Sequence, residues 1–172
     1  MSNPGCDRES IMEVNDSKPI FDVIDSASKR YKGAIPDDCY HEPYMPMDEL
    51  LAEMNRMQFY GYWENDRLLG VMAKEPVKDV TLIRHAYVVM GEQGKGIGSR
   101  LLRFIEQKVG TEWLLIGTWK EAVWAIEFYK KHGYGLLPQK DDLLKKYWVI
   151  SDRQRETSCV LGKQLTNDSG QN

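Results

Sequence analysis

Apolar positions follow a helical rhythm first and an alternating one later. Ile20, Phe21, Val23, Ile24, Ala27 and Tyr31 fall on one helical face. Lys29, Arg30 and Lys32 sit near its negative end and Gly33 stops it. Asp48 and Glu49 open a short helix carrying Leu50, Leu51 and Met54. Gln58 to Glu64 and Leu68 to Ala73 read as strands, with Asn65-Asp66 as the hairpin turn. Leu82 to Val89 is an apolar run, Ser99 to Val109 returns to helical spacing, and Trp113 to Thr118 reads as a short buried strand. Ala122, Ala125, Ile126, Phe128 and Tyr129 recur at helical spacing, Lys130, Lys131 and His132 crowd the end, and Gly133 supplies the C-cap. Lys146 to Ile150 and Thr157 to Gly162 complete the pattern as a last antiparallel pair. Residues 1–18 lack periodicity and are expected as a flexible lead-in, and 165–172 as a flexible tail around one domain spanning 19–164.

This order predicts an α/β (α+β) fold. A mixed, mostly antiparallel sheet of six or seven strands has helices on both sides. The helix after Leu82–Val89 makes the parallel connection to Trp113–Thr118. At 172 residues and net charge −3 the chain can bury one sizeable core. It has no apolar run of the roughly 18 residues a membrane helix needs, so a membrane partner is not expected. The start, Met-Ser-Asn-Pro-Gly-Cys-Asp-Arg, has no apolar stretch of the secretory kind. Cys6, Cys39 and Cys159 are odd in number and lack metal spacing. Free thiols in a reducing, cytoplasmic setting and no metal are therefore expected. The slight acidity speaks against nucleic acid and suits a basic partner.

The most telling stretch is Gln93-Gly94-Lys95-Gly96-Ile97-Gly98-Ser99, between an apolar strand and a helix. The first amides of a helix lack internal partners and carry the positive end of its dipole. Glycines let an anion approach the backbone closely. A Walker-type loop requires Ser or Thr after its lysine, and Lys95 is followed by Gly96. The dinucleotide fingerprint requires a third glycine where Leu101 stands. The spacing met is Gln/Arg-x-x-Gly-x-Gly/Ala, through Gln93, Gly96 and Gly98. It resembles the pyrophosphate loop of the GCN5-related N-acetyltransferases. Trp124-Ala-Ile-Glu-Phe-Tyr-Lys-Lys-His-Gly-Tyr134 resembles the same family's Ala-x-x-x-Tyr-x-x-x-Gly-Phe/Tyr segment. Ala86-Tyr87-Val88 stands where that family's fourth strand offers its backbone to the pantetheine arm. The likeness spans roughly residues 58 to 163 in element order.

The resemblance implies the acyl-coenzyme A N-acyltransferase (GNAT) fold, in which one parallel pair splays apart for the coenzyme. It implies acetyl-coenzyme A as acyl donor and the amine of a small molecule or protein as acceptor. A homodimer is compatible with it. Ala86, Tyr87, Val88, Gln93, Gly94, Lys95, Gly96, Ile97, Gly98 and Ser99 become the expected coenzyme contacts. Tyr129 becomes the proton donor to the departing thiolate, a role suited to a phenol protonated at neutral pH. Two positions depart from the family pattern. Ala122 replaces an Asn that helps hold the pantetheine arm, and Gly117 replaces a Glu base found in some members that modify protein N-termini.

The base must then lie elsewhere. His85 has a suitable intrinsic pKa, Arg84 is its neighbour, and Glu75 ends the preceding strand as a solvated carboxylate. Alternation along a strand puts Arg84 and His85 on opposite faces. The Pro- and acid-rich loop from Ala34 to Met47 is the expected acceptor wall. Asp37, Asp38, His41 and Glu42 suit a cationic amine, and Tyr40 and Tyr44 supply apolar walls. Trp119 and Trp124 are read as packing residues, and the three cysteines as packing thiols rather than nucleophiles. A non-catalytic acyl-coenzyme A binder and a nucleotide-binding module are the competing readings.

Overall fold

A computed structural model describes residues 8–165. Asp16 accepts a hydrogen bond from the Lys18 amide at 3.1 Å and starts α1 (Ser17–Ser28). Ile20, Val23, Ile24 and Ala27 are buried along one face of it, as their spacing predicts. A tighter turn, Lys29–Tyr31, follows. α2 (Met47–Met54) carries Asp48 and Glu49 in its first turn, where the dipole favours them.

Among the described residues, seven strands form one sheet: β1 (Glu9–Glu13), β2 (Gln58–Glu64), β3 (Arg67–Val77), β4 (Val80–Val88), β5 (Trp113–Trp119), β6 (Gly135–Leu136) and β7 (Ser158–Gln164), in the order β1-β2-β3-β4-β5-β7-β6. Asn65 and Asp66 take φ of 48° and 64°, the left-handed pair that a two-residue hairpin needs. α3 (Ile97–Glu106) carries the chain from β4 to β5, which pair in parallel from Val80↔Trp113 to Ile83↔Ile116. The ladder ends there, although β4 continues to Val88 and β5 to Trp119. β7 pairs antiparallel along all of β5, and with the short β6. The remaining helices are α4 (Val123–Lys131), α5 (Lys140–Tyr147) and α6 (Asp152–Glu156).

Two expectations need correction. The lead-in expected over residues 1–18 contains β1 and the start of α1. β1 is an edge strand, held by the backbone of β2 from Glu9↔Glu64 to Glu13↔Tyr60. Half of Met12 is exposed, so little apolar periodicity is present to announce the strand. Lys146 to Ile150 is not a strand. Lys146 and Tyr147 close α5, and the Trp148 amide extends the helical bonding to Leu144 O at 3.0 Å. The aromatic and β-branched residues there mimic a strand locally, while Leu144, Tyr147 and Trp148 are buried together. The tail beyond Leu165, and Cys6 at the other end, lie outside the described residues.

The chain divides into two compact units, each taken here as far as it is described. One is drawn from Met1–Arg30, Glu42–Ala73 and His85–Lys108, the other from Tyr31–His41, Lys74–Arg84 and Val109–Asn172. The first buries Ile20, Ile24, Leu50, Phe59 and Val71 among others, and Tyr87 and Val89 pack on that cluster. The second buries Leu82, Leu115, Leu144, Trp148 and Val160. Among the described residues, no helix is long and apolar enough to cross a membrane.

Candidate functional site

In the first unit β4 runs into a turn that opens α3. The Glu92 amide bonds Val89 O at 3.0 Å, and Gly91, Gly94 and Gly96 take φ of 88°, 79° and 84°. Gly96 is the N-cap of α3, and no side chain caps the helix. The first helical bond runs from the Arg100 amide to Gly96 O at 3.1 Å, so the amides of Ile97, Gly98 and Ser99 precede it. A Cβ added at Gly94 or Gly96 would meet nothing within 4 Å. Left-handed backbone, donors without helical partners and open space occur together here, as an anion cradle requires.

The side chains around the turn hold its shape. Gln93 Nε2 donates to Val88 O at 3.2 Å, and its Oε1 accepts from Arg30 Nη1 at 2.8 Å. Gln93 therefore ties the turn to the ends of β4 and α1. The Met90 amide donates to Ser26 Oγ at 3.2 Å. Lys95 Nζ lies 2.8 Å from Glu92 Oε2, and this hydrogen bond holds the Glu92 carboxyl below its usual range. Beneath the helix start, Gly70 of β3 permits close approach. A Cβ there would stand 2.8 Å from Ile97 Cγ2 and 3.2 Å from Leu101 Cδ1. Sequence reasoning missed Gly70, because nothing local marks a glycine needed by a distant helix.

His85 departs from the regular strand. Its φ of 51° is left-handed within β4, while Arg84 and His85 meet different partners. His85 stacks on Phe59 at 5.8 Å and 9°, and on Tyr87 at 6.5 Å and 23°. Its Nε2 lies 3.0 Å from Glu53 Oε2 at the end of α2. Glu53 Oε1 in turn accepts from Arg56 Nη2 at 2.6 Å. Glu53 was not singled out from the sequence, since only the fold brings α2 to β4. Tyr44 stands edge-on to Tyr87, with centroids 6.5 Å apart, while Glu42 is exposed.

In the second unit Arg84 Nη1 donates to Glu75 Oε2 at 2.9 Å. Glu75 lies inside β3 and only 8% of it is exposed, so it is not the solvated strand end expected. Asp38 is held by Arg153 Nε at 3.0 Å, and this bond keeps its carboxyl below the usual range. Asp37 and His41 are exposed. Tyr129 on α4 is buried, edge-on to Phe128 at 5.1 Å and to Tyr134 at 5.8 Å. Burial, and secondarily Tyr31, push its phenol far above the ordinary tyrosine range. Trp124 meets Tyr31 edge-on at 5.2 Å, and Trp119 is buried. Ala122 is fully buried at the start of α4. Burial raises the Cys159 thiol, which suits packing rather than nucleophilic attack.

Residues 55–135 match a family model described as an acetyltransferase (GNAT) domain. No curated protein matches the sequence. Many solved structures share the fold. The PaiA N-acetyltransferase of Thermoplasma acidophilum in complex with coenzyme A is 16% identical with a TM-score of 0.71, covering 92% of this chain and 99% of that one. A Bacillus subtilis acetyltransferase in complex with coenzyme A is 21% identical with a TM-score of 0.66, covering 92% and 100%. A GNAT family acetyltransferase of Elizabethkingia anophelis with acetyl-coenzyme A bound is 19% identical with a TM-score of 0.65, covering 91% and 98%. The mixed seven-stranded sheet flanked by helices is the fold of these proteins.

Proposed function

We propose that this chain, of which residues 55–135 match an acetyltransferase (GNAT) domain, moves an acetyl group from acetyl-coenzyme A to an amine nitrogen while both substrates are held together. The observation that carries this reading is the turn before α3, with left-handed Gly94 and Gly96 and an uncapped helix start in open space. Its donors fit a diphosphate, and the coenzyme-bound relatives share the fold.

Backbone amides from Gly94 to Ser99 hold the diphosphate, and Gln93 with Arg30 keeps the turn in shape. The main chain of Ala86–Val88 pairs with the pantetheine arm. The coenzyme supplies an activated thioester carbonyl, so the chain needs no covalent intermediate. Positioning both reactants is worth up to about 7–11 kcal/mol of barrier. The amine nitrogen bonds to the acetyl carbon, the carbon–sulfur bond breaks, and the nitrogen gives up a proton to a base. Tyr129 keeps its own proton at neutral pH because burial disfavours the phenolate. The departing sulfur needs a proton, and Tyr129, the tyrosine that matches the family segment, is the donor in this reading. The acceptor is the amine of a small molecule or a protein, and the net charge of −3 suits a cationic one. Half-buried, unbridged Cys39 and Cys159 favour a reducing, cytoplasmic setting.

The test is release of coenzyme A thiol from acetyl-coenzyme A over a panel of polyamines, amino acids, aminoglycosides and lysine peptides, with calorimetry for binding. Turnover on one class is the expected result. Binding without turnover on any amine, with Tyr129→Phe indistinguishable, would make the chain an acyl-coenzyme A binder. A larger thermal shift with ATP or NAD than with coenzyme A would remove the transferase reading.

A further inference from the structure

We propose that residues 31–41 act as a strap on the second unit, and that the Asp38–Arg153 ion pair is the latch through which ionic strength loosens it. The segment belongs to this unit, whereas Arg30 and Glu42, on either side of it in the chain, belong to the other. The backbone bonds of its two turns run within it. The amides of Ala34 and Ile35 both donate to Tyr31 O at 2.9 Å, and those of Cys39 and Tyr40 donate to Pro36 O at 2.8 and 3.1 Å. Turns closed by their own bonds need no docking partner for those groups. Side chains fasten the segment instead. Tyr31 stands edge-on to Trp124 of α4 at 5.2 Å, and Ile35 is only 2% exposed. Asp38 is gripped at both oxygens, by Arg153 Nε at 3.0 Å and by Nη2 at 3.4 Å.

Arg153 is the fixed half of the latch. It sits on α6, whose start is capped by Ser151 Oγ accepting from the Gln154 amide at 3.1 Å. Its own carbonyl accepts from Thr157 Oγ1 at 2.9 Å, and its Nη1 is 4.0 Å from Glu156 Oε2. The planar guanidinium fork matches a carboxylate, which gives the contact a defined geometry. The Arg153 and Asp38 side chains are 50% and 60% exposed, so water and ions reach both. A pair so exposed contributes modestly, and less as salt rises. A latch has to be weak enough to open. Opening it uncovers Ile35 and loosens Tyr31 against Trp124. Tyr31 is also one of the groups that keep the Tyr129 phenol protonated. The strap therefore bears on the helix that carries the proton donor, and this last consequence alone rests on the transferase reading.

The test is amide hydrogen exchange of the full chain, read by mass spectrometry at about 0.01 and about 1 M salt, where the screening length falls from roughly 30 to roughly 3 Å. Peptides from β5 serve as the internal reference. Residues 33–41 should exchange roughly 2- to 5-fold faster at high salt, while β5 is unchanged. Asp38→Asn and Arg153→Gln should each reach the faster rate already at low salt and lose the salt response. Asp38→Lys combined with Arg153→Glu should restore slow exchange at low salt together with the salt response, which a loss of packing alone would not do. Salt-independent exchange in the wild type would overturn the proposal. A salt response that survives in either single variant, or a charge reversal that restores neither property, would do the same. Should a variant fail to fold, the wild-type measurement still decides. None of these readings depends on turnover, so a chain that acetylates no amine would remove the transferase reading and leave the strap in place.

Discussion

Trp148 lies against Gly117, so that a Cβ on residue 117 would stand 3.3 Å from its Cε2 and Cζ2. The resemblance places a glutamate base at this position in some relatives. Here the indole, buried with Leu144 and Tyr147, fills the space beside it. Gly117→Glu should therefore destabilise the fold by about 1–3 kcal/mol through overpacking, read by urea unfolding. Introduced beside Trp148→Ala, the same substitution should cost less. Equal costs in the two backgrounds would show that the indole is not the obstacle.

Gly96 and Gly70 should fail in different ways. At Gly96 a side chain has room, but its φ of 84° costs an L residue roughly 1–2 kcal/mol. Gly96→Val should weaken coenzyme A binding by calorimetry while the rest of the chain stays folded. At Gly70 the backbone carries no such demand, but the new Cβ collides with Ile97 at 2.8 Å. Gly70→Ala should lower the unfolding midpoint and weaken coenzyme A together, since α3 must back away from the sheet.

Tyr129 predicts an alkaline loss of stability. The unfolded chain ionises this tyrosine near pH ~10, whereas burial holds the folded one protonated well beyond that. Its contribution is whole below pH ~10 and is lost as pH climbs toward the folded value. Tyr129→Phe should flatten the fall in unfolding free energy above pH ~10, measured by denaturant titration. Part of the slope should remain, because burial also raises Tyr60, Tyr62 and Cys159.

Lys140 holds the approach to β7. Its ammonium donates to Arg155 O at 3.0 Å, Glu156 O at 3.3 Å and Ser158 O at 3.0 Å. Lys140→Met keeps most of the stem and strips all three carbonyls of this donor. It should lower stability by about 1–3 kcal/mol and speed amide exchange in residues 155–158.

Features written in consecutive residues were legible beforehand. The Asn65-Asp66 hairpin, the buried face of α1 and the glycine turn before α3 each follow from local conformational demands. What escaped was written in pairs far apart in the chain. Gly70 matters through Ile97, His85 through Glu53, and Gly117 through Trp148. β1 and β6 escaped because edge strands are held mainly by a neighbour's main chain, which no composition announces. Lys146 to Ile150 misled for the opposite reason, since strong local strand propensity gave way to burial.

The turn that opens α3 is made of peptide groups rather than side chains. Peptide groups are present in every protein and cannot be mutated away. Only a change in backbone shape, through glycine or proline, can silence them. If the turn holds the acyl donor as proposed, a chain built this way can drift at almost every other position and retain it.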